Sequence, residues 1–378
     1  MLESVPFWMW IAGFLLVLGP LVTVHELGHY LVGRWFGVKA DAFSVGFGKE
    51  LWGRTDRRGT RWKVSAIPLG GYVQFAGDMN PASQPSPEWL ALPAHERAQT
   101  FQSKPLWQRA LIVLAGPVTN LVVAVAIFAA FNFAYGKAVP ADPSEESVIA
   151  GFTEVSPARE AGFRIGDRIV AIDGEVMESY REVQRTIFVY PNKRIEVTVE
   201  RAGKRVTIPV TTRSMEISDR FGNVSTIGLI GVEGNPTEPR YEAVGPIEAV
   251  TLAVGQSVEI AQLMVTGIVQ IVTGDRSVKE LGGPVKIAKF SGEQLSLGWE
   301  QFVTFAALIS LNLAFINLLP IPALDGGHLA FYAAEAIRRK PASPRSQEWA
   351  FRTGLAFVLA LMLFVTINDI ASLPIFGG

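Results

Sequence analysis

Residues 4–29 read Ser4-Val5-Pro6-Phe7-Trp8-Met9-Trp10-Ile11-Ala12-Gly13-Phe14-Leu15-Leu16-Val17-Leu18-Gly19-Pro20-Leu21-Val22-Thr23-Val24-His25-Glu26-Leu27-Gly28-His29. The first 21 of them, residues 4–24, contain no Asp, Glu, Lys or Arg. A helix of about 20 apolar residues crosses the hydrocarbon core of a bilayer, so this stretch predicts a membrane span. Residues 110–136, 301–324 and 353–368 are also free of charge, giving runs of 27, 24 and 16. The last is short, and the apolar residues after Asp369 extend it. The expected fold is an α-helical polytopic membrane protein with about four transmembrane helices. Over the 378 residues, 49% are apolar and 18% charged, against a usual charged share near 25%. An ordinary soluble globular protein and a disordered chain are both excluded. Residues 1–6 carry Glu3 and no Lys or Arg, so the basic start of a secretory signal is missing. The first span is expected to be retained.

His25-Glu26-Leu27-Gly28-His29 carries the chemistry. Residues i and i+4 share a helix face, so both imidazoles can reach one metal with Glu26 beside it. A carboxylate at membrane depth costs about 2.5–3.5 kcal/mol on insertion scales, and such residues are usually functional. The plainer alternative is a polar span end facing headgroups. The chain has no cysteine and only four histidines, His25, His29, His95 and His328. Any metal is therefore held by His, Asp or Glu. A catalytic zinc takes three protein ligands and keeps one position open. The pattern with a third His six residues after the second finds Trp35 there, and Val32 where it wants Gly. Glu50 is a possible third ligand, but it follows Gly46-Phe47-Gly48 in a β-like stretch. The other is Asp325, after Asn317-Leu318-Leu319-Pro320-Ile321-Pro322-Ala323-Leu324. There Pro320 and Pro322 break the helix and turn the chain; the plain alternative is a simple turn closing the span.

The remaining chain falls into regions around these spans. Eleven Lys and Arg lie in 34–109, five in 325–352 and none in either tail. Short basic loops stay on the cytoplasmic side, which predicts both termini outside and those two regions inside; the plainer alternative is a re-entrant 353–368 with the C-terminus inside. Residues 40–53 and 61–76 are rich in aromatic and β-branched residues and punctuated by glycine, with the turn Thr55-Asp56-Arg57-Arg58-Gly59 between them. Residues 80–105 hold five prolines and read as a surface linker. Residues 148–212 look like a small soluble α+β module, with turns at Asp173-Gly174 and Ala202-Gly203 and a helix near Ser179–Val189. Residues 247–274 are apolar but contain Glu248, Gln256, Glu259 and Gln262, which predicts an amphipathic helix on or beside the membrane. The expected division is a first span in 1–36, a β-hairpin region in 37–78 and a linker in 79–108. A second span follows in 109–136, the module in 148–212, a connecting region in 213–300, and the last two spans in 301–378. A net charge of −1 gives no case for nucleic acid as a partner.

His25–His29 together with Asn317-x-x-Pro320-x-Pro322-x-Leu324-Asp325-Gly326 resembles the site-2 protease family of intramembrane zinc metalloproteases. The bacterial branch that activates the extracytoplasmic stress sigma factor is the most similar. Gly116-Pro117-Val118-Thr119-Asn120 matches that branch's second-span motif. Residues 46–75, with Pro68-Leu69-Gly70-Gly71-Tyr72-Val73, are similar to its membrane-associated β-loop. Ser156-Pro157-Ala158, Ala161-Gly162 and Gly166-Asp167-Arg168-Ile169 resemble a single PDZ domain. The resemblance implies that His25, His29 and Asp325 ligate one zinc ion and that Glu26 is the general base. It implies that Asn312 and Asn317 hold substrate backbone and that the strand edge with Gly70, Gly71 and Tyr72 receives the substrate. The implied partners are the lipid bilayer and single-span membrane proteins of the anti-sigma-factor type or signal-peptide remnants, already trimmed outside. The implied location is the bacterial inner membrane, with the active-site side cytoplasmic and the PDZ-like module periplasmic. His328 is expected either at the surface or as a group supporting the site, and His95 at the surface.

Overall fold

The computed structural model describes residues 5–77, 93–139, 147–177, 179–218, 224–234, 240–340 and 343–371. In chain order its helices are α1 (Phe7–Trp35), α2 (Ala94–Arg97), α3 (Leu106–Tyr135), α4 (Pro157–Ala161) and α5 (Tyr180–Phe188). They continue with α6 (Pro246–Thr273), α7 (Pro284–Leu297), α8 (Trp299–Leu318), α9 (Asp325–Arg338) and α10 (Pro344–Ala371). The strands are β1 (Ala40–Thr55), β2 (Arg61–Phe75), β3 (Lys137–Val139), β4 (Ile149–Phe152), β5 (Arg168–Ile172) and β6 (Glu175–Val176). After them come β7 (Arg194–Arg201), β8 (Lys204–Thr211), β9 (Arg213–Ser218), β10 (Val224–Leu229), β11 (Val232–Gly234) and β12 (Arg240–Glu242). The chain divides into two compact units, Val5–Phe128 with Leu281–Gly378, and Ala129–Glu280.

In the first unit α1 is one uninterrupted helix through Pro20 and the two histidines. It packs closely on α7, because two glycines remove the side chains at the crossing. A Cβ on Gly13 would lie 2.7 Å from the Ser291 backbone, and one on Gly292 only 2.8 Å from the Trp10 nitrogen. Val17 and Leu21 of α1 form a core with Phe302 and Ile309 of α8. The N-terminus of α7 is capped from α10: fully buried Asp369 accepts hydrogen bonds from the Gly283 and Lys286 amides. A carboxylate there satisfies orphan amides and suits the positive end of the helix.

The β-region departs from a simple hairpin. Phe43 faces Val73 on one side and Trp62 on the other, so the start of β1 lies between the two halves of β2. The end of β1, Trp52–Thr55, pairs with Arg61–Val64. The turn forms as expected, with the Asp56 carboxylate accepting from the Arg58 and Thr60 amides and Gly59 at φ 83°. Residues 78–92, which include the first part of the predicted linker, lie outside the described residues. The rest docks on the sheet: buried Phe101 stacks on Phe75, and its amide donates to the Ala76 carbonyl. An aromatic side chain able to bury that much apolar surface outweighs the local prolines.

Among the described residues five helices are long and apolar enough to cross a membrane: α1, α3, α6, α8 and residues Arg345–Ala371 of α10. The additional one, α6, is the helix expected over 247–274. Counting only charge-free runs passes over it because of Glu248 and Glu259. Two of its polar side chains have partners within the second unit, Glu259 with Arg185 and Gln256 with Asn132.

The second unit holds the small module. Strands β6-β5-β7-β8 form an antiparallel sheet packed around Ile169, Ile195, Val197, Val199 and Val183 of α5. Both predicted turns are present, with Asp173 and Gly174 at φ 49° and 86°, and Ala202 and Gly203 at 48° and 74°, the signature of a two-residue hairpin. Ser156 and Ser179 cap α4 and α5 through their hydroxyls. The packed module reaches past Thr212: Ile230 lies in its core and β11 pairs with β4. Strands β9 and β10 form their own ladder, as do β3 and β12.

Candidate metal centre

His25 and His29 lie one turn apart on α1, and Asp325 reaches them from the first residue of α9. Helix α8 stops at Leu318, and the turn through Pro320 and Pro322 carries Ala323 at φ 83°, a conformation unusual for a residue with a side chain. Gly326 and Gly327 are required there. A Cβ on Gly326 would sit 2.2 Å from the Leu319 carbonyl, and one on Gly327 2.4 Å from the Ile321 carbonyl. The turn therefore delivers the carboxylate only if glycines follow it.

The three ligand atoms form a nearly regular triangle. His25 Nε2 is 3.2 Å from His29 Nε2 and 3.2 Å from Asp325 Oδ2, and His29 Nε2 is 3.6 Å from the same oxygen. Four-coordinate zinc with bonds of 2.0–2.2 Å separates its ligand atoms by about 3.3–3.6 Å. Asp325 Oδ2 is buried and receives no directed hydrogen bond, an expensive state for a carboxylate oxygen unless something else binds it. The ligand set thus fits zinc.

Helix α3 closes the site from behind. A Cβ at Gly116 would fall 2.3 Å from His29 Nε2 and 2.8 Å from His25 Cε1. Gly28 lets α3 approach, since its Cβ would lie 2.6 Å from the Ala115 carbonyl. The Ile112 carbonyl is 2.8 Å from His29 Nδ1, and Asn120 Nδ2 is 3.3 Å from His25 Nδ1. On the opposite side, Glu26 Oε2 accepts a hydrogen bond of 3.2 Å from the Val73 amide of β2. His25, Glu26, His29, Val73, Ile112 and Asp325 border a cavity of about 300 Å³.

Other expected site residues divide around this cavity. Asn317 lines it and Asn312 does not. Gly71 lies against Glu26, its would-be Cβ 3.4 Å from Glu26 Cγ. Gly70, at φ 95°, and Tyr72 lie along the same strand, with Tyr72 stacked on Phe47 and its hydroxyl 2.7 Å from Lys63 Nζ. Of the two placements expected for His328, the surface one fails: one turn into α9 from Asp325, it lines the cavity. Glu50 takes no part. It is on β1, bound to Arg61, whose hydrogen bond and charge hold its carboxyl below the usual range despite some desolvation. His95 is exposed, as expected. Reasoning from sequence gave no role to Asn120, Ile112 or Val73. For Asn120 the signal was Gly116–Asn120 itself; the other two act through backbone atoms, which residue type does not reveal.

Two histidines and an aspartate around one point, with a glutamate beside them, define a metal-dependent hydrolase centre in a chain of membrane-length apolar helices. The profile of Peptidase family M50 matches residues 13–361. The chain belongs to that family and is a metalloprotease. It is 46% identical over 367 residues to a protein of Agrobacterium fabrum (strain C58) that carries a zinc metalloprotease name, covering 96% of each chain. It is 44% identical over 360 residues to one of Rhizobium meliloti (strain 1021) of the same description, covering 94% of this chain and 95% of that one. It is 34% identical over 394 residues to Metalloprotease MmpA of Caulobacter vibrioides, covering 98% and 97%. Zinc is the metal in the first two of these names, and the ligand geometry agrees with it.

Proposed function

We propose that this protein carries out regulated intramembrane proteolysis. It hydrolyses a peptide bond within the membrane segment of single-span proteins, such as a trimmed anti-sigma factor or signal-peptide remnants, after a first cut on the outer side. The observation that carries this reading is the contact between Glu26 and Val73, which puts a base and a strand edge side by side at the metal centre. His25, His29 and Asp325 would hold the zinc. When bound, zinc lowers the pKa of water to about 7 and polarises a carbonyl. Glu26 takes a proton from the attacking water and passes it to the amine that leaves. A membrane helix hides its amides in its own hydrogen bonds, so the substrate must be extended before it is cut. Gly70, Gly71 and Tyr72 precede Val73 on an edge suited to receive that segment by strand addition. Asn317 lies within reach of bound backbone, and Asn312 is assigned a supporting place on the same helix.

The test of the reaction is Glu26→Gln in proteoliposomes with a single-span substrate. Cleavage should fall by about 10²–10⁴-fold or more while zinc content stays at that of the unaltered protein. Appreciable residual turnover refutes the role of Glu26.

The protein is assigned to the bacterial inner membrane, with the β-region cytoplasmic and the PDZ-like module periplasmic, on the strength of the loop charges. In a chain without cysteine, Ser156→Cys should react with an impermeant thiol reagent on spheroplasts and Arg57→Cys should not. The reverse pattern overturns the orientation.

A further inference from the structure

An imidazole that offers Nε2 to a metal must carry its proton on Nδ1, and that N–H needs an acceptor. For His29 the acceptor is the Ile112 carbonyl, 2.8 Å away, a backbone oxygen that can do nothing else. For His25 the group facing Nδ1 is the side-chain amide of Asn120, 95 positions along the chain and fully buried on α3. As placed, its nitrogen faces the ring at 3.3 Å. An amide nitrogen can only donate, so this arrangement suits the other tautomer, with Nδ1 accepting and the proton on Nε2. At the same time Asn120 Oδ1 is buried and has no hydrogen-bond partner. The backbone of the residue is pinned, because Ser310 of α8 donates to its carbonyl at 2.8 Å.

Those facts have one resolution. The two ends of a carboxamide have nearly the same shape, and rotation of its terminal torsion is broadly two-fold. Turning the Asn120 amide over puts Oδ1 where it accepts from His25 Nδ1–H and gives the orphaned oxygen a partner. We propose that Asn120 is a positioning residue for the metal centre: with Oδ1 toward the ring, its amide accepts from His25 Nδ1–H and locks His25 in the tautomer that presents Nε2. The inference rests on the reading that His25, His29 and Asp325 hold the metal. It explains why a polar residue stands fully buried in an apolar span, where leucine would pack more cheaply. It also makes the two histidines unequal. His29 is held in its ligating tautomer by a fixed carbonyl, whereas His25 depends on a side chain that serves either form.

The experiment uses the full chain in detergent and zinc itself as the probe, with affinity measured by chelator competition. Loss of a group that orients a ligating histidine weakens metal binding about 10–100-fold, and that is the expected effect of Asn120→Ala. Asn120→Asp supplies an acceptor and no donor, so it should bind zinc within a few-fold of the unaltered protein. Asn120→Leu fills about the same space without an acceptor, so it should weaken zinc as Asn120→Ala does, whereas a residue that only packs would tolerate it. Nitrogen-15 spectra of histidine-labelled, zinc-loaded protein should show a His25 Nδ1–H protected from exchange, as expected of a proton held by Asn120 Oδ1. This readout needs no variant, so it decides the matter even if Asn120→Ala does not fold. Zinc affinity unchanged in Asn120→Ala, equal weakening in Asn120→Asp, or a His25 Nδ1–H that exchanges freely each overturns the proposal. Asp325→Ala is the separate control. If that variant keeps its zinc, the ligand reading itself falls, whereas a loss of zinc there with full affinity in Asn120→Ala refutes only the role of Asn120.

Discussion

Asp167 and Asp325 are carboxylates sunk in the two units of this chain, and they are treated in opposite ways. Asp167 is 1% exposed, and both of its oxygens are occupied. Arg201 donates to both at 2.7 Å, and the Arg164 amide donates to Oδ2 at 2.8 Å. Asp325 keeps one buried oxygen without a hydrogen bond, aimed into a triangle with two imidazole nitrogens. A buried polar atom left unsatisfied by its own chain is tolerated where a ligand completes it. The difference separates a carboxylate that holds a fold together from one offered to a metal.

Exchanging the two residues for alanine should break this pair cleanly. Asp325→Ala should reduce zinc from about one per chain to a small fraction of that, measured by elemental analysis of purified protein. Glu50→Ala should leave zinc content unchanged; the opposite pair of results would move the third ligand to Glu50. Asp167→Ala should leave zinc alone and weaken the module by about 1.5–3 kcal/mol, the usual worth of hydrogen bonds to a charged group. Hydrogen exchange over residues 149–211 of the full chain reads that loss.

The smallest effect expected is a response to acid. Burial alone would raise the Asp167 carboxyl, but Arg201 and the Arg164 amide more than offset it and hold it below its ordinary value. A carboxyl held lower in the folded state than the unfolded value of about 3.9 stabilises the fold above that pH. The contribution is lost as pH falls from about 3.9 through the folded value. Exchange protection of the module should therefore drop over that acid range, and Asp167→Asn should flatten the drop. An unaltered acid response in that variant would remove Asp167 from the account.

The parts of the fold that were legible in sequence are those governed by short-range geometry. Charge-free runs announce helices, because a bilayer demands a fixed length of apolar chain. Asp173-Gly174 and Ala202-Gly203 announce turns, because positive φ suits few residues. The count of membrane-length helices came out one higher than charge-free runs suggested, since Glu259 finds a partner in Arg185 and need not end an apolar helix. The module extends past residue 212 because β11 completes it from the far side of a separate ladder, and strand pairing carries no local mark.

The same division runs through the site. The spacing of His25 and His29 alone put two imidazoles on one helix face, because covalent geometry and the 3.6-residue turn decide it. Asp325 could only be nominated, against Glu50, until the turn between α8 and α9 brought its carboxylate to the two imidazoles. His328 and the Val73 amide entered the site through tertiary structure alone, and Asn120, in sequence only the end of a motif, gained its place there in the same way. Their roles depend on which atoms face one another across packed helices and a strand edge, and such distances are set by the whole fold.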